Sequence, residues 1–202
     1  EAYGCHVDVE FTTNFAGDGT YRINLVQCRP LQIEESISVA EPIPAIAKKD
    51  LILEPHGGII GQSKTVSIDR LIYVDPFAYG HLLDKDRYTI ARLIGKLTHL
   101  KTPEIPGTIM LFGPGRWGTT TPSLGVPVSF AEINTISVLC EIDIMHETLS
   151  PDLSLGTHFF NDLVEMNMLY LGFFSANKRN VINQDFLNQT PNCLTSLLPE
   201  AS

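Results

Sequence analysis

TIMLFGPGRWGTTTPSLGVPVSFAEINTISVLCEIDI, residues 108–144, sets out strand, loop, helix and strand in the order of an α/β fold. TIMLF at 108–112 is a short continuous apolar run, the pattern of a buried strand. A Gly-rich loop, GPGRWGTTTPSLG, follows it. Ser129 with Glu132 three residues on fits a capping box, which predicts a short helix there. ISVLCEIDI at 136–144 reads as the next strand. Downstream, 145–155 reads as a loop, Gly156-Thr157 opens a helix over HFFNDLVEMNML, and YLGFFSA at 170–176 is a further strand. This alternation predicts an α/β (α+β) domain with a mixed sheet.

Upstream the same logic gives a helix capped by Asp84 and running to about His99, KDRYTIARLIGKLTHL, with Ile90, Leu93, Ile94 and Leu97 at helical spacing. LILE, GIIG and TVSIDRLIYVDP, between 51 and 76, read as strands, with His56-Gly57-Gly58 as a turn. Residues 31–50 read as a connector with a short helix. Residues 3–13 and 20–28 (TYRINLVQC) read as two strands joined by the turn cluster NFAGDG at 14–19, an antiparallel hairpin. Arg29-Pro30 is expected to end it, because proline cannot donate to a ladder. The polar tail after 177 carries a weak helical stretch.

Composition narrows the function classes. The chain is 44% hydrophobic and 18% charged, which suits a packed core rather than disorder. Its net charge of −9 argues against a nucleic-acid surface, which needs clustered Lys and Arg. No apolar run approaches the roughly 18 residues that span a bilayer. The opening Glu1-Ala2-Tyr3-Gly4 shows no leader, so the chain reads as a cytoplasmic protein and as the interior of a longer reading frame. Cys5, Cys28, Cys140 and Cys193 are scattered, with no zinc spacing, and read as buried reduced thiols.

Asp8-Val9-Glu10-Phe11, followed by Leu25-Val26-Gln27-Cys28-Arg29-Pro30, resembles the end of the nucleotide-binding region of phosphoenolpyruvate synthase and pyruvate phosphate dikinase. The resemblance implies that residues 1–35 are the C-terminal hairpin of an ATP-grasp-like domain and 36–202 an α/β tail domain. It implies ATP and Mg²⁺ as cofactors and an upstream ATP-binding lobe as partner. It matches Glu10 and Gln27 to the family's metal ligands and Arg29 to its phosphate-facing, catalytic arginine. The chemistry suits those residue types: Mg²⁺ bridging phosphates takes oxygen ligands, and a guanidinium neutralises charge on the transferring group. From spacing alone, Glu10 and Gln27 read equally as solvent-facing strand residues. The family's Gly-Gly phosphohistidine loop is not matched. Gly57-Gly58 runs into Ile-Ile-Gly-Gln-Ser, and His56 precedes the glycines. IDRLIYVDP, LFGPGRWGTTTPSLGVPVSFAEI and GTHFFNDL resemble the tail of bacterial proteins that carry a dikinase-like nucleotide-binding domain without the rest of the synthase. The two resemblances together cover residues 7–176.

A second candidate site lies in the tail. The loop at 113–120 nearly matches a phosphate-binding loop, but Thr119 stands where lysine is required. Gly113, Gly115, Arg116, Gly118 and Thr119 remain candidates for a different anion or cofactor site, through convergent N–H groups, a guanidinium fork and a hydroxyl. Trp117 stacks on a ligand or buries. His158 opens its helix, where free N–H donors favour a phosphate or carboxylate, and is a candidate acid, base or phosphoryl acceptor. It reads as well as an ordinary cap residue. Asp143, His146 and Glu147 are a weaker metal candidate, with Glu141 beside them. Asp69, Arg70, Tyr73 and Asp75 read as ion-pair residues. Phe159, Phe160, Leu163 and Met166 read as core. Three functions follow: an ATP-dependent phosphotransferase fragment that is inactive alone, a non-catalytic ligand-binding or docking module, and a dimerisation domain built on strand edges.

Overall fold

The computed structural model describes residues 7–30, 45–100, 107–146 and 149–199. The chain divides into two compact units, Glu1–Ser36 and Ile37–Ser202.

In the first unit, β1 (Val7–Phe15) pairs antiparallel with β2 (Tyr21–Pro30). Gly19 adopts a positive φ of 83° in the turn, and Asp18 accepts from both the amide and the hydroxyl of Thr20. The Thr20 hydroxyl bond is the main cause that holds the Asp18 carboxyl below its usual range. Pro30 does not lie beyond the strand, as expected, but closes it opposite Val7. A proline at the last strand position removes no interior ladder bond.

The register carries more information than the ends. Glu10 faces Gln27, but Phe11 faces Leu25, so Val26 is an extra, bulged residue. Tyr21, Ile23 and Leu25 alternate onto one face with Val9, Phe11 and Phe15. Without the bulge, Gln27 would continue onto that apolar face. With it, Gln27 joins Glu10, Thr12 and Asn14 on the polar face. The apolar face is open: Phe15 is 80% exposed, Tyr21 65% and Leu25 64%.

The second unit holds β3 (Leu53–Glu54), β4 (Ile59–Ile60), β5 (Arg70–Tyr73), α1 (Pro76–Gly80) and α2 (Asp84–His99). There follow β6 (Ile109–Pro114), α3 (Phe130–Ile133), β7 (Val138–Ile142), α4 (His158–Glu165), β8 (Leu169–Phe173), β9 (Val181–Ile182), α5 (Gln184–Gln189) and α6 (Leu194–Leu197). The main sheet runs β4-β8-β7-β6-β5. β5 to β8 are parallel in unbroken succession, and β4 adds antiparallel to β8. β3 and β9 form a separate antiparallel pair.

Parallel strands added always in one direction, through right-handed crossovers, put every crossover helix on the same face. The core shows this. Ala91, Ile94 and Leu97 of α2, Ile133 of α3 and Leu163 of α4 pack with Ile72, Leu111, Leu139 and Tyr170 of the sheet. The other face buries Phe112, Cys140, Ile142 and Phe173, with Leu53, Ile182 and Leu187 from β3, β9 and α5 against them. Because the strand order never reverses, the parallel set has no switch point, where such sheets open a ligand crevice.

Several boundaries differ from expectation. Asp84 is the first residue of α2 rather than its cap, which is Leu83. Asp84 and Asp86 in its first turn and Lys96 and His99 in its last complement the helix dipole. Among the described residues Arg70 pairs with no carboxylate; its buried guanidinium donates to the carbonyls of Leu97 and Leu100, groups that a helix end leaves unpartnered. The VDP stretch read as a strand end starts α1 instead. Asp75 caps it by accepting from Ala78 N–H at 2.7 Å, and Pro76 takes the first turn, where its missing N–H costs nothing. The capping box is present, with Ser129 N–H donating to Glu132 Oε2 at 2.7 Å. α4 stops at Glu165, so Met166 is exposed rather than core, while Leu163 is buried. Cys140 is buried and Cys28 half-buried, but Cys193 is exposed, and Cys5 lies outside the described residues. No helix among the described residues is long and apolar enough to cross a membrane.

Candidate functional site

A charged residue in the middle of an apolar strand organises the tail's candidate site. Glu141 sits in β7, the strand flanked by β6 and β8, and is fully buried. Four donors reach its carboxylate. Oε1 accepts from Trp117 N–H at 2.8 Å and Ser154 Oγ at 2.5 Å. Oε2 accepts from Ser154 N–H at 2.6 Å and Tyr170 hydroxyl at 2.7 Å. Burial outweighs these bonds and pushes the carboxyl above its usual range. Burial, then the Glu141 charge, pushes the Tyr170 phenol far up. One carboxylate thus ties the Gly-rich loop to the 151–154 segment and to β8. It is not placed to ligate a metal, because each oxygen already takes two donors.

The Gly-rich loop is closed on itself. Gly115 N–H donates to Ile142 O, Arg116 N–H to Leu124 O, and Gly118 N–H to Val126 O. With Trp117 N–H on Glu141, four successive donors that an anion nest would need are engaged inside the protein. The glycines serve close approach. A Cβ on Gly118 (φ +70°) would stand 2.2 Å from the Phe159 ring, and one on Gly115 (φ +61°) 2.3 Å from Leu124 O. Gly113 has Trp117 and Val74 at its Cα face. Thr119 uses its hydroxyl to accept from Thr121 N–H. Arg116 is half-exposed; its Nε, like Trp117 Nε1, is buried without a hydrogen-bond partner among the described residues. Trp117 is wholly buried in the core and offers no stacking face.

The structure brings the GPGRWG loop and the GTHFF helix together through Gly118 against Phe159, and Ser154 Oγ, whose one proton serves Glu141, also lies 3.1 Å from Trp117 O. His158 is exposed on the first turn of α4. Its cap, Thr157, accepts from Phe160 N–H at 3.2 Å and donates to Ser154 O at 2.7 Å. A pocket of about 250 Å³ is lined from β5, α1, α2 and α6, and by none of Gly113, Gly115, Arg116, Gly118, Thr119 or His158.

In the hairpin, Glu10 and Gln27 occupy directly opposed register positions on one face, and Arg29 follows opposite Asp8. At a directly opposed pair such as Glu10 and Gln27, the Cβ atoms lie roughly 5 Å apart. Asp143 accepts from Ser175 N–H at 2.7 Å, and Glu147 lies outside the described residues. Among the described residues, no group of three or more His, Cys, Asp or Glu gathers as metal ligands.

Two features escaped the sequence reading. Ser154 and Tyr170 complete the Glu141 cluster; the signal was a lone acid inside VLCEI, since a buried carboxylate must find donors. His56 joins the 174–180 segment. Its N–H donates to Asn180 Oδ1 at 2.6 Å and its carbonyl accepts from Asn177 Nδ2 at 2.9 Å. Its ring stands between Glu54, 3.3 Å from Nε2, and Arg179, 3.2 Å from Nδ1. An arginine only donates, so a hydrogen bond from Arg179 takes Nδ1 as its acceptor.

Comparison with protein-family models, with curated proteins and with solved structures finds no match.

Proposed function

We propose that this chain is the C-terminal part of a phosphoenolpyruvate synthase/pyruvate phosphate dikinase-like, ATP-dependent phosphotransferase, inactive alone, acting with an upstream ATP-binding lobe. The observation that carries this is the bulge at Val26. It turns Gln27 to the side of Glu10 and sets an amide beside a carboxylate on one polar face. Two oxygen donors at that separation suit Mg²⁺ on a nucleotide, which keeps its remaining sites for phosphate oxygens and water. Arg29, next but one along β2, would neutralise charge on the transferring group. The open apolar face behind them suits a hairpin that is one layer of a larger domain, since an isolated two-stranded hairpin is marginal in water.

For residues 37–202 the second reading is favoured, a non-catalytic docking or regulatory module of cytoplasmic phosphotransferase machinery. Its support is the internal engagement of the loop's N–H groups. The test is ATP-dependent phosphoryl transfer by the protein carrying the upstream lobe. Glu10→Gln and Gln27→Leu should each lower kcat about 100-fold. Arg116→Ala and His158→Ala should leave it within about twofold, the margin for surface changes away from the chemistry. Unchanged hairpin variants would remove the nucleotide-site reading. Loss of activity in His158→Ala would make the tail catalytic.

A further inference from the structure

The apolar pocket stands apart from both candidate sites. It is lined by Ile72 and Tyr73 of β5, by Val74 and Asp75 after it, and by α1 and α2. Ile72, Val74, Leu82, Leu93 and Ile94 make an aliphatic wall, and α6 adds Leu194. The hydroxyl of Tyr79, which also lines it, is turned to Gly125 O at 3.1 Å. One charged side chain belongs to the lining, Asp75. Its Oδ1 is taken by Ala78 N–H at 2.7 Å, while Oδ2 has the Tyr73 hydroxyl at 3.4 Å, the length of a weak bond. Among the described residues no Lys or Arg forms an ion pair with Asp75. The pocket therefore pairs a hydrocarbon wall with a half-buried carboxylate that lacks a counter-charge.

We propose that this pocket binds a small primary amine with an aromatic or branched aliphatic body. The body is set by volume: an apolar cavity of about 150 Å³ accepts benzene, so 250 Å³ accommodates a ring with a short arm. The head group is set by charge. An ammonium on that arm donates to Asp75 Oδ2 and supplies the missing cation, whereas a carboxylate would meet a like charge. Asp75 is half-buried, so the ammonium keeps part of its hydration and the pair avoids the full desolvation cost.

The test uses the whole chain, titrated with phenethylamine by calorimetry and followed by two-dimensional NMR. 3-Phenylpropionate (same body, opposite charge) and ethylamine (same charge, no body) are the controls. Phenethylamine should bind with shifts confined to β5, α1, α2 and α6, and each control should bind at least tenfold more weakly. Asp75→Asn retains a capping side chain for α1 and should weaken phenethylamine binding at least tenfold. Ala78→Phe, an exposed lining position filled by the new ring, should abolish it. Thermal melts establish that both variants fold. Three outcomes overturn the proposal: no binding at millimolar phenethylamine, equal binding of phenylpropionate, or an unchanged Kd in folded Asp75→Asn.

Discussion

Replacing Glu141 with glutamine swaps one carboxylate oxygen for an NH₂ group inside a cluster of four donors. Each oxygen is served by one backbone N–H and one hydroxyl. A hydroxyl can turn and accept from the amide; a backbone N–H cannot. Whichever way the amide flips, either Trp117 N–H or Ser154 N–H faces another donor. A bond to a charged group contributes roughly 1.5–3 kcal/mol, and a stranded buried donor costs roughly 1–3 kcal/mol. Removing a buried charge offsets part of this, which leaves a net loss of about 3 kcal/mol. With a urea m-value of about 2 kcal/mol/M, the midpoint should fall by about 1.5 M. Trp117 is the single tryptophan and hangs from this carboxylate, so its emission reports the loop directly.

The pH dependence has a definite sign. Burial raises the native pKa of Glu141 above its unfolded value, so the native state holds the proton more tightly. The group's contribution is full below the unfolded pKa and declines as pH rises through the native one. A protonated acid still offers an oxygen to each backbone N–H, which glutamine does not. Wild type should therefore exceed Glu141→Gln most at the acid end, with the gap narrowing as pH rises. Urea melts of both proteins between pH 4.5 and 8 measure it. A variant within about 0.5 kcal/mol of wild type, the range of neutral surface changes, or a gap that widens with pH, would refute the reasoning.

Two further predictions concern neighbouring geometry. Gly118→Ala combines a φ of +70° with a Cβ 2.2 Å from the Phe159 ring; the left-handed cost and the overlap should together destabilise by about 3 kcal/mol, read as a drop in the urea midpoint, and a variant as stable as wild type would show that the loop and α4 do not touch. The Tyr73 phenol is pushed up to about 12, first by burial and then by the Asp75 charge. Rapid-mixing absorbance at alkaline pH should show a phenol ionising there that disappears in Tyr73→Phe and moves down in Asp75→Asn; no movement would remove Asp75 from its surroundings.

Much of the framework was legible because its causes are local. The apolar spacing of Ile90, Leu93, Ile94 and Leu97 marks α2 without reference to any other segment. Ser129 and Glu132 cap α3 across three residues, and the largely apolar stretches at 108–112 and 136–144 are too short for helices and read as buried strands. Alternation in β1 and β2 also reads from period alone, as far as Leu25. α1 was missed because Val74-Asp75-Pro76 ends a strand and caps a helix with the same residues.

What the tertiary structure decided are the long-range pairings. Strand direction and the unbroken β5-to-β8 order depend on which edges meet, and local patterning does not encode that choice. The bulge at Val26 lies between the Glu10–Gln27 and Phe11–Leu25 pairs, and it reverses which face Gln27 joins. Glu141 finds donors at positions 117, 154 and 170, on three separate segments, so its role as a tie across the tail could not be read from its own strand. Sequence alone determined where hydrophobic period and capping chemistry place elements, since those act over three or four residues. Folding in three dimensions decided which donors each buried acceptor meets, because satisfying a desolvated carboxylate is a constraint among segments far apart in the chain.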